Sequence, residues 1–169
     1  MTGSEAQRAR SAPTDRPEDA TPTTEVPAAL RDAQRVTARV SADEAAADGE
    51  RARLQTEPLP VVADTAIAGL DLRPAEVVHA VREAAMLEDR SSPLPKGGTL
   101  YLTSQRLVHA GQSVREIALA EITETGVALE RVLLVDLADG SDLAIEIDQP
   151  RLLRVQLAAA RAAVRGRVP

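Results

Sequence analysis

Cysteine is absent from this 169-residue chain, and Tyr101 is its single aromatic side chain. The first absence excludes a disulfide framework, a thiolate zinc site and a thiol nucleophile, and it suits a reducing compartment, most simply the cytoplasm. The second excludes the aromatic platforms on which single-stranded nucleic acid stacks. Basic charge is also short. Twenty Lys and Arg stand against 26 Asp and Glu, a net charge of -6 that argues against binding a phosphate backbone. Lysine occurs once, at Lys96, and every other basic residue is arginine, a usage that GC-rich coding produces without functional demand. No run approaches the ~18 consecutive apolar residues that span a bilayer. Residues 1–20 lack the apolar stretch of a secretory signal, so the expectation is a protein that stays in the cytoplasm where it is made. The length fits one domain of roughly 100 to 150 residues with a tail.

What is present divides the chain. Residues 1–60 hold six of the eleven prolines, few large apolar side chains, and eleven acidic against eight basic residues. Such a segment buries too little to offset the ~1–2 kcal/mol per residue lost on ordering a backbone, and it reads as a disordered or partly helical tail. Within it, Ala28 to Gln55 favours helix through Ala, Glu and Arg. Its larger apolar residues Leu30, Val36, Val40 and Leu54 make no continuous stripe, and Gly49 interrupts the run, so a transient helix is expected there. Residues 61–70 read as a linker, and 71–169 as the folded domain.

From Leu70 onward short apolar alternations are separated by turn residues, as in a small all-β domain. Thr99 to Thr103 puts Leu100 and Leu102 on one face and Thr99, Tyr101 and Thr103 on the other. Leu107 to Ala110 follows a short link. Gly97-Gly98 and Gly111 read as turns, and Val114 to Leu119 and Ile122 to Leu129 as further strands, with Gly126 a candidate bulge. The clearest hairpin joins Val132 to Leu137 and Leu143 to Ile147 through Ala138-Asp139-Gly140-Ser141, where Asp-Gly supplies positive φ. Leu143, Ile145 and Ile147 face a core, and Asp142, Ala144, Glu146 and Asp148 face water. The C-terminal segment changes period. With Asp148 or Gln149 as N-cap and Pro150 in the first turn, Leu153, Leu157, Ala160 and Val164 make one helical face, and Arg154, Arg161 and Arg165 a different, solvated one. Glu76 to Glu88 is ambiguous: Val78, Val81 and Ala85 fit a helix face, Val78, Ala80, Arg82, Ala84 and Met86 fit a strand, and local propensity favours the helix.

The run from Gly98 to Gly111, with Gly98, Leu100, Tyr101, Leu102, Thr103, Arg106, Leu107 and Val108 in the order G-x-L-Y-L-T-x-x-R-L-V, resembles the signature of GRAM and bacterial pleckstrin-homology-like (PH-like) domains. The resemblance covers about Leu70 to Arg165. It implies a mainly β fold, a strongly bent antiparallel sheet or barrel of about seven strands capped by a C-terminal helix, and it makes Glu76 to Glu88 the first strand. The tryptophan usual in the eukaryotic pleckstrin-homology helix is missing here. The family's function implies a non-catalytic interaction module with no cofactor.

Candidate sites are few. In the loop from Asp89 to Gly98 the resemblance points to Arg90 and Lys96, with Arg106 nearby, as cations for an anionic headgroup, set against a plain solvated loop. Arg154, Arg161 and Arg165 could face an acidic lipid or protein partner, or simply complement the helix dipole and solvate an outer face. His79 and His109 sit in expected strands, and a small hydrolase or transferase built on either is the alternative to a binding module. No Gly-x-Ser-x-Gly elbow frames a serine. The acidic cluster Asp136, Asp139, Asp142, Glu146 and Asp148 misses the ligand spacing of a calcium loop, so neither a catalytic set nor a metal site is expected. The expected partner is a protein segment, with an anionic lipid or a second copy of the chain as alternatives and nucleic acid excluded.

Overall fold

The computed structural model describes residues 28–62, 70–87 and 95–166. Seven strands follow one another in the alternating part of the sequence: β1 (Val78–Leu87), β2 (Lys96–Thr103), β3 (Arg106–Gly111), β4 (Val114–Ala118), β5 (Ile122–Ala128), β6 (Val132–Leu137) and β7 (Asp142–Ile147). They form one antiparallel sheet in the order β4-β3-β2-β1-β7-β6-β5. Two helices flank the sheet in sequence, α1 (Ala28–Arg53) before it and α2 (Pro150–Arg165) after it. This is the mainly β arrangement with a closing helix that the resemblance implies. The sheet is bent, and its outer strands β4 and β5 do not pair, so it is not a closed barrel.

Strand β1 is shared unequally between its two neighbours. That strand pairs with β2 from Val78 opposite Thr103 to Met86 opposite Lys96, but with β7 only from Ala84 to Leu87. Its alternation decides the ambiguity left by propensity. Val78, Ala80, Ala84 and Met86 are buried while Val81 and Glu83 are exposed, a period of two that a sheet satisfies and a helix does not. The main core cluster is aliphatic. Leu100, Leu102, Leu107, Ile117, Leu133, Val135, Ile145 and Ile147 meet Leu153, Leu157 and Ala160 of α2, and Val164 packs at their margin, so the expected helix face is the observed one. Aliphatic side chains fill this cluster, and the buried rings of Tyr101 and His109 lie outside it.

Three local readings are corrected. Gly97 and Gly98 lie inside β2 instead of forming a turn. Gly98 stands opposite Gly111, and a Cβ on it would lie 2.4 Å from the Ala110 carbonyl oxygen, so two backbones cross where only glycine fits. The irregularity in β5 falls between Ile122 and Glu124, and Gly126 pairs regularly with Leu134. Gly140 alone supplies the positive φ of the β6–β7 hairpin, at 84°, while the Asp139 carboxylate accepts the Ser141 N–H at 2.9 Å.

The segment before the sheet holds more than the transient helix read from its sequence. Ala28–Arg53 is one continuous 26-residue helix, and its second half packs on α2. The contacts advance together, Asp43 against Arg151 and Glu50 against Gln156, so the two helices run side by side in the same direction. A stripe was not evident from the large residues alone because much of this face is alanine and acid. Among the described residues no helix is long and apolar enough to cross a membrane.

Candidate functional site

The signature residues Thr103 and Arg106 flank the β2–β3 turn and close on Glu76, in the chain just ahead of β1. Arg106 Nε donates to Glu76 Oε1 at 2.9 Å and Nη2 to Oε2 at 3.0 Å, with both side chains almost fully enclosed. Thr103 Oγ1 accepts the N–H groups of Gln105 and Arg106, and its single proton points to Glu76 Oε1 at 2.6 Å. The backbone N–H of Arg73 reaches the other carboxylate oxygen at 2.7 Å. Arg106 also holds the Asp71 carbonyl and the Glu116 carboxylate, which Arg73 meets at 2.8 Å. Burial alone would raise the Glu76 carboxyl, but the Arg106 guanidinium, the Arg73 N–H and the Thr103 hydroxyl together hold it below its ordinary value. A bidentate arginine satisfied on every side leaves nothing for a headgroup. Arg106 is therefore a fold-forming residue, and the anion-site reading of it is corrected. Lys96 opens β2 opposite Met86, and Arg90 lies outside the described residues.

The arginine face of α2 also divides. Arg161 Nη2 donates to the carbonyls of Ile122 and Thr123, covering the start of the free edge of β5, so it is not a solvated partner residue. Arg154 is exposed beside Arg51, Leu54, Val155 and Ala158 in a shallow groove of about 340 Å³, and Arg165 is exposed in the last turn.

The histidines have backbone partners. His109 is buried, with Nε2 at 3.4 Å from the Ala84 carbonyl. His79 Nδ1 lies 2.8 Å from the Pro60 carbonyl oxygen, which can only accept, so the neutral ring carries its proton on Nδ1 and leaves Nε2 as an acceptor. Neither ring meets a carboxylate among the described residues. No group of three or more potential metal ligands occurs among them either.

His79 leads to a feature the sequence did not disclose. After α1, Arg53 binds Glu50 through two bonds of 2.9 Å and the Pro58 carbonyl at 3.0 Å, which turns the chain back. The chain then runs beside β1, where Val62 N–H donates to the Val78 carbonyl at 2.8 Å. Between this segment, the start of β1 and the last turns of α2 lies a cleft of about 510 Å³. Leu54, Pro58 and Leu59 make one wall and Val77 and His79 the other, and the alanines of α2 from Ala159 to Ala163 form its floor. Methyl groups there leave volume that leucines would have filled. Ser104 lines the cleft too. Its Oγ accepts the Val77 N–H at 3.1 Å, and its own proton has no acceptor among the described residues. The cleft thus offers apolar surface together with the His79 ring, the Ser104 hydroxyl and the Glu57 carboxylate, which Arg53 meets at 3.3 Å. In sequence Ala160 belongs to the core face of the helix and Ala159, Ala162 and Ala163 stand out in no way, and nothing local marks the space above them.

No protein-family model and no curated protein matches the chain. Among solved structures, it is similar to the N-terminal PH domain of human ARAP2 protein at 8% identity and a TM-score of 0.43, over 60% of this chain and 89% of that one. It is also similar to the C-terminal domain of an unknown protein from Leishmania infantum at 18% identity and a TM-score of 0.40, over 52% of this chain and 82% of that one.

Proposed function

We propose that the chain is a non-catalytic PH-like interaction module of the GRAM-like or bacterial kind, working in the cytoplasm and holding a short protein segment by an apolar side chain. One observation carries this reading, the cleft of about 510 Å³ over Ala159, Ala160, Ala162 and Ala163. Its volume lies in the range of sites that enclose a side chain or small ligand, and its polar groups are few and fixed. The His79 Nε2 acceptor and the Ser104 hydroxyl suit the N–H and C=O of an extended peptide flanking that side chain. The floor belongs to α2, one wall to the segment that follows α1 and the other to the start of β1, so the shape of the cleft depends on how that segment is held.

Peptide display against the whole chain tests this. Selected peptides with a large aliphatic or aromatic anchor should shift the amide resonances of His79, Ser104 and Ala159 to Ala163. Filling the space with Ala163→Leu and Ala159→Leu should weaken binding at least tenfold while leaving the thermal midpoint within a few degrees. Peptides that perturb other surfaces, or bind the filled variant equally well, would refute the reading.

A further inference from the structure

The first helix is docked along only part of its length. Its buried residues are Asp43 and Ala47, and no residue upstream of Asp43 is buried. Among the described residues, no hydrogen bond or ion pair ties residues 28–42 to the rest of the protein. Their bonds, Arg35 to Asp32 and Thr37 to the Ala33 carbonyl, stay within the helix. At 1.5 Å per residue this projecting portion is about 22 Å long.

Its pattern continues that of the docked half. Ala29, Ala33, Val36, Val40, Asp43, Ala47, Glu50 and Leu54 follow a three-four spacing and lie within about 60° of one direction at 100° per residue. The last four face α2: Asp43 and Ala47 are buried, Glu50 meets Gln156, and Leu54 lines the groove with Val155 and Ala158. The first four carry the same face onward past the helix that covers it. An apolar strip that runs out of an established interface into water calls for an occupant aligned with the helix.

We propose that residues 28–42 of α1 form a self-association surface, pairing antiparallel with the same residues of a second copy of this chain. A two-fold axis near residues 34 and 35 sets Ala29 against the partner's Val40 and Ala33 against the partner's Val36, each with its symmetry mate. Every layer joins a methyl group to an isopropyl group, so the helices approach evenly. Along one edge Asp32 meets the partner's Arg39 and Arg39 the partner's Asp32, while along the other the half-exposed Leu30 covers the partner's Thr37. Among the described residues Asp32 is held only by an exposed pair with Arg35, which is weak enough to exchange. An in-register parallel pair would drive the two sheets and their docked α2 helices together. The antiparallel pair places them at opposite ends.

Sedimentation velocity on the whole chain, from about 10 µM to about 0.5 mM, tests this. An interface well below the standard size should associate in the range of tens to hundreds of micromolar. Val36→Glu with Val40→Glu lies on the undocked half, where both side chains are half-buried, and should leave the thermal midpoint within a few degrees and the helical circular dichroism unchanged while weakening the dimer at least tenfold. Asp32→Arg alone should weaken it several-fold by facing the partner's Arg39, and adding Arg39→Asp should restore it. A monomer at the highest concentration, or a dimer indifferent to the valine changes, overturns the proposal. Failure of the double charge exchange to improve on Asp32→Arg overturns the antiparallel register.

Discussion

Asp43, in the first helix, caps the last helix from 108 residues away: its carboxylate accepts the N–H of Arg151 at 2.9 Å and that of Leu152 at 3.1 Å. The residue at the cap position itself, Gln149, has a left-handed φ of 59° and gives no side-chain bond to the helix end, its Oε1 accepting instead from Arg82 at 3.3 Å. A carboxylate at a helix N-terminus satisfies orphan donors and meets the positive end of the dipole. Arg151 reinforces the contact at 3.5 Å, so one acidic side chain joins the docked helix to the domain.

Asp43→Ala should therefore lower stability by about 1–2 kcal/mol, the value of an N-cap, and also loosen α1. Urea denaturation measures the first effect. Hydrogen exchange measures the second, with faster exchange expected in Ala28–Arg53 while β2 and β3 stay protected. Asp43→Asn, which keeps an acceptor, should lose less than half as much.

Arg106→Ala leaves the enclosed Glu76 carboxylate without its cation, and a loss of about 3–5 kcal/mol is expected. Arg106→Lys should recover only part of this, since an ammonium cannot span both carboxylate oxygens. Loss of vesicle binding in an Arg106 variant would consequently report unfolding, and a thermal melt run beside it distinguishes the two.

Gly98→Ala should be among the most damaging conservative changes, because its methyl group would collide with the Ala110 carbonyl at 2.4 Å and with Gly111 Cα at 2.9 Å. Overpacking against backbone costs about 1–3 kcal/mol or more. Gly97→Ala, with nothing within 4 Å of the new methyl, should leave the urea midpoint unchanged or raise it.

Acid sensitivity follows from the same network. Glu116 is drawn below its ordinary 4.5 first by its bond to Arg106, against the opposing effect of burial, and further by the charges of Arg106 and Arg73, and Glu76 is lowered as well. A carboxyl with a lower value in the folded than in the unfolded chain stabilises the fold above its unfolded value, and that stabilisation is lost as pH falls through the folded one. Stability from this pair should hold from pH 7 to about 5 and decline below about 4.5. Urea midpoints between pH 6 and 3 should fall less steeply in Glu116→Gln than in the wild type, and an unchanged slope would show that Glu116 does not contribute.

Much of the fold was legible because it rests on local pattern. The alternation in β6 and β7, the turn at Gly140 and the Leu153, Leu157, Ala160 face of α2 follow from backbone periodicity and steric preference, which neighbouring residues determine by themselves. The candidate site was not legible. Its floor is a row of alanines whose meaning depends on what stands 100 residues earlier in the chain.

The sequence by itself determined that the chain would make short antiparallel strands closed by an amphipathic helix, and that its interior would be aliphatic. Only the tertiary structure decided what each charge does. Arg106 and Arg161 look alike as surface arginines, yet one is enclosed by a glutamate 30 residues away and the other covers carbonyls 39 residues away. The work of a charge depends on what surrounds it, and that is settled when distant segments meet. The same reason makes Asp43, one acid among many in the sequence, a residue that ties the first helix to the last.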